Sequence, residues 1–147
     1  MLALLLISCQ QKEGETKNEE YFFENNGVRI FVGDDTREII SKLGKPNRES
    51  RAPSCAGVGE DIIYIYDGFR LLAYSEKSKE TVVSIELTSD AVSTPEGIGL
   101  GDGAESVLNA YGVPMHREEG IFEYESRGIR LRFAISDGVV KSIKYLK

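Results

Sequence analysis

From Ile129 to Ile135 apolar and polar positions alternate: Ile129, Leu131, Phe133 and Ile135 fall on one side, Arg130, Arg132 and Ala134 on the other. A two-residue period of this kind makes a strand with one buried face and one wetter face. Extended runs of similar character lie at about 61–66, 69–75 and 81–88, and again at 121–126 and 139–146. Asp137-Gly138 supplies a hairpin turn between the last two strands. Two other stretches carry a helical period. Ile39, Ile40 and Leu43, and later Val107, Leu108 and Tyr111, stand at i, i+1 and i+4, one apolar stripe on a short helix. The pattern predicts helices over 34–43 and 102–111. Asp34 and Asp102 are the expected N-caps, and Asp102 with Glu105 has nearly capping-box spacing. Gly44 and Gly112 suit the positive-φ position that ends a helix, and Pro46 and Pro114 forbid its continuation.

The two helical stretches belong to one repeated sentence. "FVGDDTREIISKLGKP" (31–46) and "GLGDGAESVLNAYGVP" (99–114) align at an offset of 68. Ile30 then falls on Ile98, Val32 on Leu100, Leu43 on Tyr111, Gly44 on Gly112 and Pro46 on Pro114. Downstream, Val83-Ser84-Ile85 falls on Lys141-Ser142-Ile143 at an offset of 58, the difference coming mostly from loop 47–60 of the first copy. The expected fold is α+β: a tandem duplication of a short strand, a helix and a three-stranded antiparallel meander, the two copies sharing a sheet. One unit of this size buries too little to be secure alone, and two pooling a sheet bury enough. Repeat 1 spans 21–90 and repeat 2 spans 91–147, hinged at "TSDAVSTPEG" (88–97), where Thr94-Pro95-Glu96-Gly97 is turn chemistry.

Composition narrows the function classes. A chain of 147 residues with a net charge of −6 lacks the basic footprint that nucleic acid requires. One His and two Cys are too few for a zinc site or a disulfide scaffold. No metal, cofactor or catalytic residue is expected. His116 with Glu118 and Glu119 reads as a solvated loop rather than a metal site. Gly97, Gly99, Gly101 and Gly103 read as punctuation, because a meander follows where a dinucleotide fold needs a parallel βαβ unit.

The N-terminus gives an address. "MLALLLISC" is too short an apolar run to span a bilayer, and Leu6-Ile7-Ser8-Cys9 resembles a bacterial lipobox. The resemblance implies a signal peptide at 1–8, cleavage before Cys9 and lipidation (thioether diacylglycerol and an acylated amine such as palmitate) on Cys9. It departs from a standard signal peptide in having no Lys or Arg before Lys12. Residues 9–20, with "QQKEGETKNEE", have the composition of a disordered tether. Its flexible reach averages about 18 Å, so the body is expected on the extracytoplasmic side of a bacterial membrane, in the cell envelope. The helix, Gly-x-Pro and meander in tandem behind a lipobox resemble the β-lactamase-inhibitor-protein-like fold, which SmpA-type lipoproteins of outer-membrane assembly share. "SCAGVGEDIIYIYDGF" with "STPEGIGLGDGAESVLNAYG" is similar to uncharacterised lipoproteins of anaerobic bacteria. The resemblance implies protein binding through a concave sheet, or an assembly role, and brings no catalytic motif. No inhibitory loop is matched residue by residue.

The remaining candidates concern surfaces. On strand 61–66, Ile62, Tyr64 and Tyr66 share one side, and Ile63 and Ile65 the other. One side faces the helices; the other is either buried too or open to a partner. An open tyrosine side, with Tyr64, Tyr66 and Tyr124 joined by Arg127, Arg130 and Arg132, has the composition favoured at interfaces. Cys55, in loop 47–60, is either a small hydrophobe tucking that loop against the sheet or a reactive thiol with His116 as the available imidazole. The expected function is a non-enzymatic, lipid-anchored binding or assembly module that recognises a protein or envelope component through a sheet face and loop 47–60. The alternatives are a thiol-dependent redox protein or enzyme using Cys55, and a small-ligand or metal sensor in the groove between repeats.

Overall fold

The structure, a computed structural model, describes residues 19–147. The expected signal peptide, the lipidation of Cys9 and most of the tether lie outside the described residues. The chain forms β1 (Phe23–Asn25), β2 (Val28–Ile30), α1 (Thr36–Leu43), β3 (Arg48–Pro53), β4 (Glu60–Tyr66), β5 (Phe69–Glu76) and β6 (Lys79–Leu87). Then come α2 (Ala104–Tyr111), β7 (His116–Glu118), β8 (Ile121–Ser126), β9 (Ile129–Ser136) and β10 (Val139–Leu146). This is a mostly-sheet α+β fold. Strands β3 to β10 form one antiparallel eight-stranded sheet in the order β3-β4-β5-β6-β10-β9-β8-β7. The hairpin β1-β2 is a separate two-stranded sheet.

The meanders form where alternation predicted them, and each gains a fourth strand. Loop 47–60 is not a loop throughout: β3 pairs with β4 from Arg48↔Ile65 to Pro53↔Glu60. The short β7 pairs with β8 in the same manner, His116↔Glu123. Neither carried an apolar alternation to betray it, because an edge strand is exposed along its whole length. The predicted short strands also need correction. In the first half that strand is β2, paired with β1 outside the main sheet; in the second, 98–100 contributes only an isolated bridge, Ser93↔Gly99.

The glycine-ended helices are as expected: Gly44 has φ 88° and Gly112 φ 79°. Their N-termini are not. Asp35 caps α1, its Oδ1 accepting from the amides of Arg37 (3.0 Å) and Glu38 (3.2 Å). Gly103 occupies the cap of α2 and no side chain closes it, so Asp102 and Glu105 form no capping box. Asp34 and Asp102 instead brace the turn before the helix, Oδ2 accepting from the Phe31 amide (2.9 Å) and the Gly99 amide (2.8 Å). The backbone beside each aspartate also pairs with the sheet. Gly33 N–H donates to Val82 O and Val82 N–H to Asp34 O; Gly101 N–H donates to Val140 O and Val140 N–H to Asp102 O.

Both helices and the β1-β2 hairpin lie on one side of the sheet. Ile39 and Val107 join a core with Ile62, Tyr64, Phe69, Leu71, Ile85, Leu131, Phe133, Ile143 and Tyr145. Phe23 sits at 4.9 Å from the Phe69 ring and 6.4 Å from the Tyr145 ring, so the hairpin plugs the seam where β6 meets β10. At that seam Leu87 pairs with Ile143, Glu86 with Lys144 and Ile85 with Tyr145.

Candidate functional site: the open face of the sheet

The side of the sheet away from the helices is covered by no element among the described residues. The cross-strand register lays out two rows on it. One runs Arg48, Ile65, Arg70, Glu86, Lys144, Arg132, Glu123, His116. Beside it run Ser50, Ile63, Leu72, Ser84, Leu146, Arg130, Glu125. On the β3–β6 side Ile63, Ile65 and Leu72, all half-buried, form an aliphatic patch beside Arg48 and the Arg70–Glu86 pair. On the β7–β10 side the face is ionic.

The charges are layered. Glu86 accepts from Arg70 Nε at 2.6 Å, and Lys144 Nζ lies 3.5 Å from its other oxygen. Glu123 accepts from Arg132 Nε and Nη2 at 2.8 and 2.7 Å, with Arg130 Nη1 at 3.8 Å. Each carboxylate therefore serves two cations. The carboxylates are sunk, with side chains 17% (Glu86) and 10% (Glu123) exposed. The cations stand above them at 40% (Arg70), 42% (Lys144), 36% (Arg132) and 33% (Arg130). The cations form the more exposed layer of the face.

The structure separates the sequence-predicted surface residues. Arg130 and Arg132 lie together on this face. Arg127 does not join them; it occupies the β8-β9 turn with φ 51°, followed by Gly128 at φ 77°, a type I′ pair. The tyrosines are a correction. Tyr64 is 3% and Tyr124 4% exposed, both on the helix side. Tyr66 is half-buried there too, its ring stacked on Phe69 at 5.0 Å. Their hydroxyls explain the inward orientation. Tyr66 donates to Gly44 O (2.8 Å) and Tyr124 to Gly112 O (2.9 Å), tying each helix end to the sheet. Tyr64 donates to the buried carboxylate of Glu80 at 2.7 Å, while Arg51 Nη2 reaches the Tyr64 oxygen at 3.1 Å. An aromatic with a satisfied hydroxyl is a core residue as readily as a surface one. Burial pushes the Tyr124 hydroxyl up to about 12. The Tyr111 hydroxyl also rises through burial, and it donates a hydrogen bond to the Glu96 carboxylate. Burial likewise raises Tyr145 well above its ordinary value.

Sequence reasoning missed Arg70, Glu86, Glu123 and Lys144. Strand 69–76 is apolar on both sides, and 121–126 puts Glu123 between Phe122 and Tyr124; only cross-strand register reveals one row. Cys55 is exposed in the β3-β4 connection rather than tucked against the sheet. That connection turns through Gly57 N–H to Ser54 O. His116 lies on β7, at the opposite edge of the sheet. Eight strands spaced about 4.8 Å apart put the two on the order of 30 Å from each other, so His116 is not a base for Cys55. The described residues contain no group of three or more His, Cys, Asp or Glu placed to hold a metal ion. A cleft of about 460 Å³ lies between the entering segment, the hinge and the end of α2, lined by Tyr21, Phe22, Pro95, Glu96 and Tyr111 among others.

No known protein family, no curated protein and no solved structure is matched by this chain.

Proposed function

We propose that this chain is a lipid-anchored, extracytoplasmic binding or assembly module without catalytic activity, built by tandem duplication, and that it recognises a protein or envelope component through the open sheet face. The observation that carries the reading is that face: a broad antiparallel surface, uncovered among the described residues, with cations raised above sunken carboxylates. An exposed surface combining aliphatic and Arg side chains suits a macromolecular partner. The absence, among the described residues, of a convergent nucleophile and base favours binding over chemistry. The lipid anchor rests on the lipobox-like Leu6-Ile7-Ser8-Cys9. The exposed β3-β4 connection, within 47–60, extends the same surface at its edge.

Duplication is supported by bonds that recur at the offsets of the sequence repeat. The Asp34 and Asp102 braces lie 68 residues apart, and the tyrosine ties from Tyr66 and Tyr124 lie 58 apart. At the same offset Glu86 corresponds to Lys144, and these two are register partners at the seam. A pseudo-twofold relation between the halves thus passes through their pairing. Two copies of one unit joined edge to edge would give this register without further adjustment.

Photo-crosslinking in intact cells tests the binding face. Benzoylphenylalanine at Leu72 or Ser84 on the open face is expected to give discrete adducts, and at Arg37 or Glu105 on the helices none. Equal patterns from both sides overturn the reading. Cys9→Ala is expected to abolish palmitate labelling and release the chain from the membrane fraction; a labelled, membrane-bound variant removes the anchor.

A further inference from the structure

The open face poses an electrostatic problem of its own. Lys144 and Arg132 are register partners on adjacent strands, and like charges directly opposite each other oppose sheet formation. Arg130 stands next to them, opposite Leu146. Glu123 and Glu86 compensate from below and from the flanks, while Arg130 also faces Glu125 and donates Nη2 to Lys147 O (2.7 Å), so Lys144 and Arg132 have the freer solvent-facing sides. In the two rows that cross the face, Arg48, Arg70, Lys144, Arg132 and Arg130 outnumber Glu86, Glu123 and Glu125. The whole chain carries a net charge of −6. The flanking rows on the same face carry Asp61 and Glu118, so the surplus of cations is confined to these two central rows.

We infer that the open face receives an acidic segment of a partner protein, its carboxylates over Lys144, Arg132 and Arg130 and its aliphatic side chains over Ile63, Ile65 and Leu72. This deepens the binding-module reading and rests on it. The ionic half supplies the sign. Arg forks held by Glu123 and Glu86 are fixed in orientation, as carboxylate recognition favours. The aliphatic patch excludes a simpler polyanion: an anionic glycan gains nothing from Ile63, Ile65 and Leu72, which lie on the same face as the cations. A lipid surface fits no better. These side chains are half-buried between strands and do not project as a bilayer insertion would require. The face is poor at binding a second copy of itself, since two cationic centres would meet.

The experiment uses the full chain, crosslinked at Leu72 and separately at Ser84 beside the cationic row, with the adducts mapped by mass spectrometry. The expected result is one stretch of one partner protein, aliphatic where Leu72 attaches and rich in Asp or Glu where Ser84 attaches. Adduct yield should fall at least tenfold between 50 and 300 mM salt, because exposed charge pairs are screened. Arg132→Glu with Lys144→Glu should lower the yield at least tenfold, and reversing the mapped acidic residues of the partner to Lys should restore it. Lys144→Met, which removes one charge while leaving the sheet register alone, should lower it about threefold. Circular dichroism matching that of the unmutated chain checks that these variants fold. Adducts to a neutral or basic stretch, to glycan or to lipid, or a yield indifferent to salt, overturn the inference while leaving the binding face in place. No adduct from either position overturns both.

Discussion

The two halves of the sheet share a scaffold and spend it differently. In the β3–β6 half the open face sets Ile63, Ile65 and Leu72 beside Arg48 and the Arg70–Glu86 pair, and a further polar group lies on the helix side: Tyr64 bonds Glu80, which is 3% exposed, while Arg51, 41% exposed, lies 3.6 Å from the other Glu80 oxygen. In the β7–β10 half the polarity is on the open face, where Glu123 holds Arg132 and Arg130. On the helix side of that half, Arg117 covers the ring of Phe122 at 4.8 Å. Each half thus sinks a carboxylate beneath a more exposed arginine, Glu80 with Arg51 on the helix side of one and Glu123 with Arg132 on the open face of the other. Binding needs ions at a surface, while buried ions hold one arrangement of side chains in place at a cost in desolvation. The two halves differ in which face of the sheet carries the sunken carboxylate of such a group.

The largest test of the comparison is whether the halves are one cooperative body. Ile143 is fully buried at the seam, on β10 opposite Leu87. Ile143→Ala should cost about 3–4 kcal/mol and leave a single urea transition with its slope unchanged. Two transitions would show that the halves melt apart.

Next in size is a pair of glycines in the second half. A Cβ on Gly120 would meet Ile135 O at 2.4 Å, whereas Gly128, also at positive φ, has nothing within 4 Å. Gly120→Ala should cost about 2–3 kcal/mol and Gly128→Ala about 1 kcal/mol. Equal losses in thermal melting would mean that backbone conformation alone matters there.

The Tyr64–Glu80–Arg51 group gives a smaller effect. Tyr64→Phe leaves Glu80 with Arg51 alone and should cost about 1–3 kcal/mol, against about 1 kcal/mol for Tyr124→Phe, which loses a neutral bond to Gly112 O. The reverse order in denaturant titrations would contradict the contrast between the halves.

Alkaline pH probes the tyrosines of the second half. Their hydroxyls are raised in the folded chain, so between the unfolded value near 10 and the folded one the native state holds more protons. Stability is full below pH 10 and should fall as pH rises from there through about 12 for Tyr124. Tyrosinate absorbance of the buried rings should appear only with loss of the circular dichroism signal; ionisation in the native state would show that these rings are accessible.

The smallest effect on stability belongs to the open face. Arg70→Met should change stability by less than about 1 kcal/mol, since half-exposed ion pairs contribute little.

Much of this molecule was legible one residue at a time. Alternation at 129–135, the Gly44 and Gly112 helix stops and the Asp-Gly turn at 137–138 depend on local sterics and on period, which neighbours along the chain determine. The correspondence between 31–46 and 99–114 was legible for the same reason, as matched residues along the chain. The edge strands β3 and β7 were not, because exposed strands need no apolar pattern. Nor was the role of Asp34, since Asp34 and Asp35 are equally good caps until the backbone chooses one.

The candidate site marks the boundary most clearly. Sequence alone placed Tyr64 and Tyr66 on one side of a strand and Ile63 and Ile65 on the other, and that division holds. Which side meets the helices depended on whether tyrosine hydroxyls find acceptors there, and Gly44 O, Gly112 O and Glu80 lie far off in the chain. The charged row was likewise invisible, because Arg70, Glu86, Lys144, Arg132 and Glu123 come from five strands and become neighbours only through register. Local periods and turn chemistry set the elements; the choice of face and the meeting of charges belong to tertiary structure, because both depend on partners that the chain brings together only by folding.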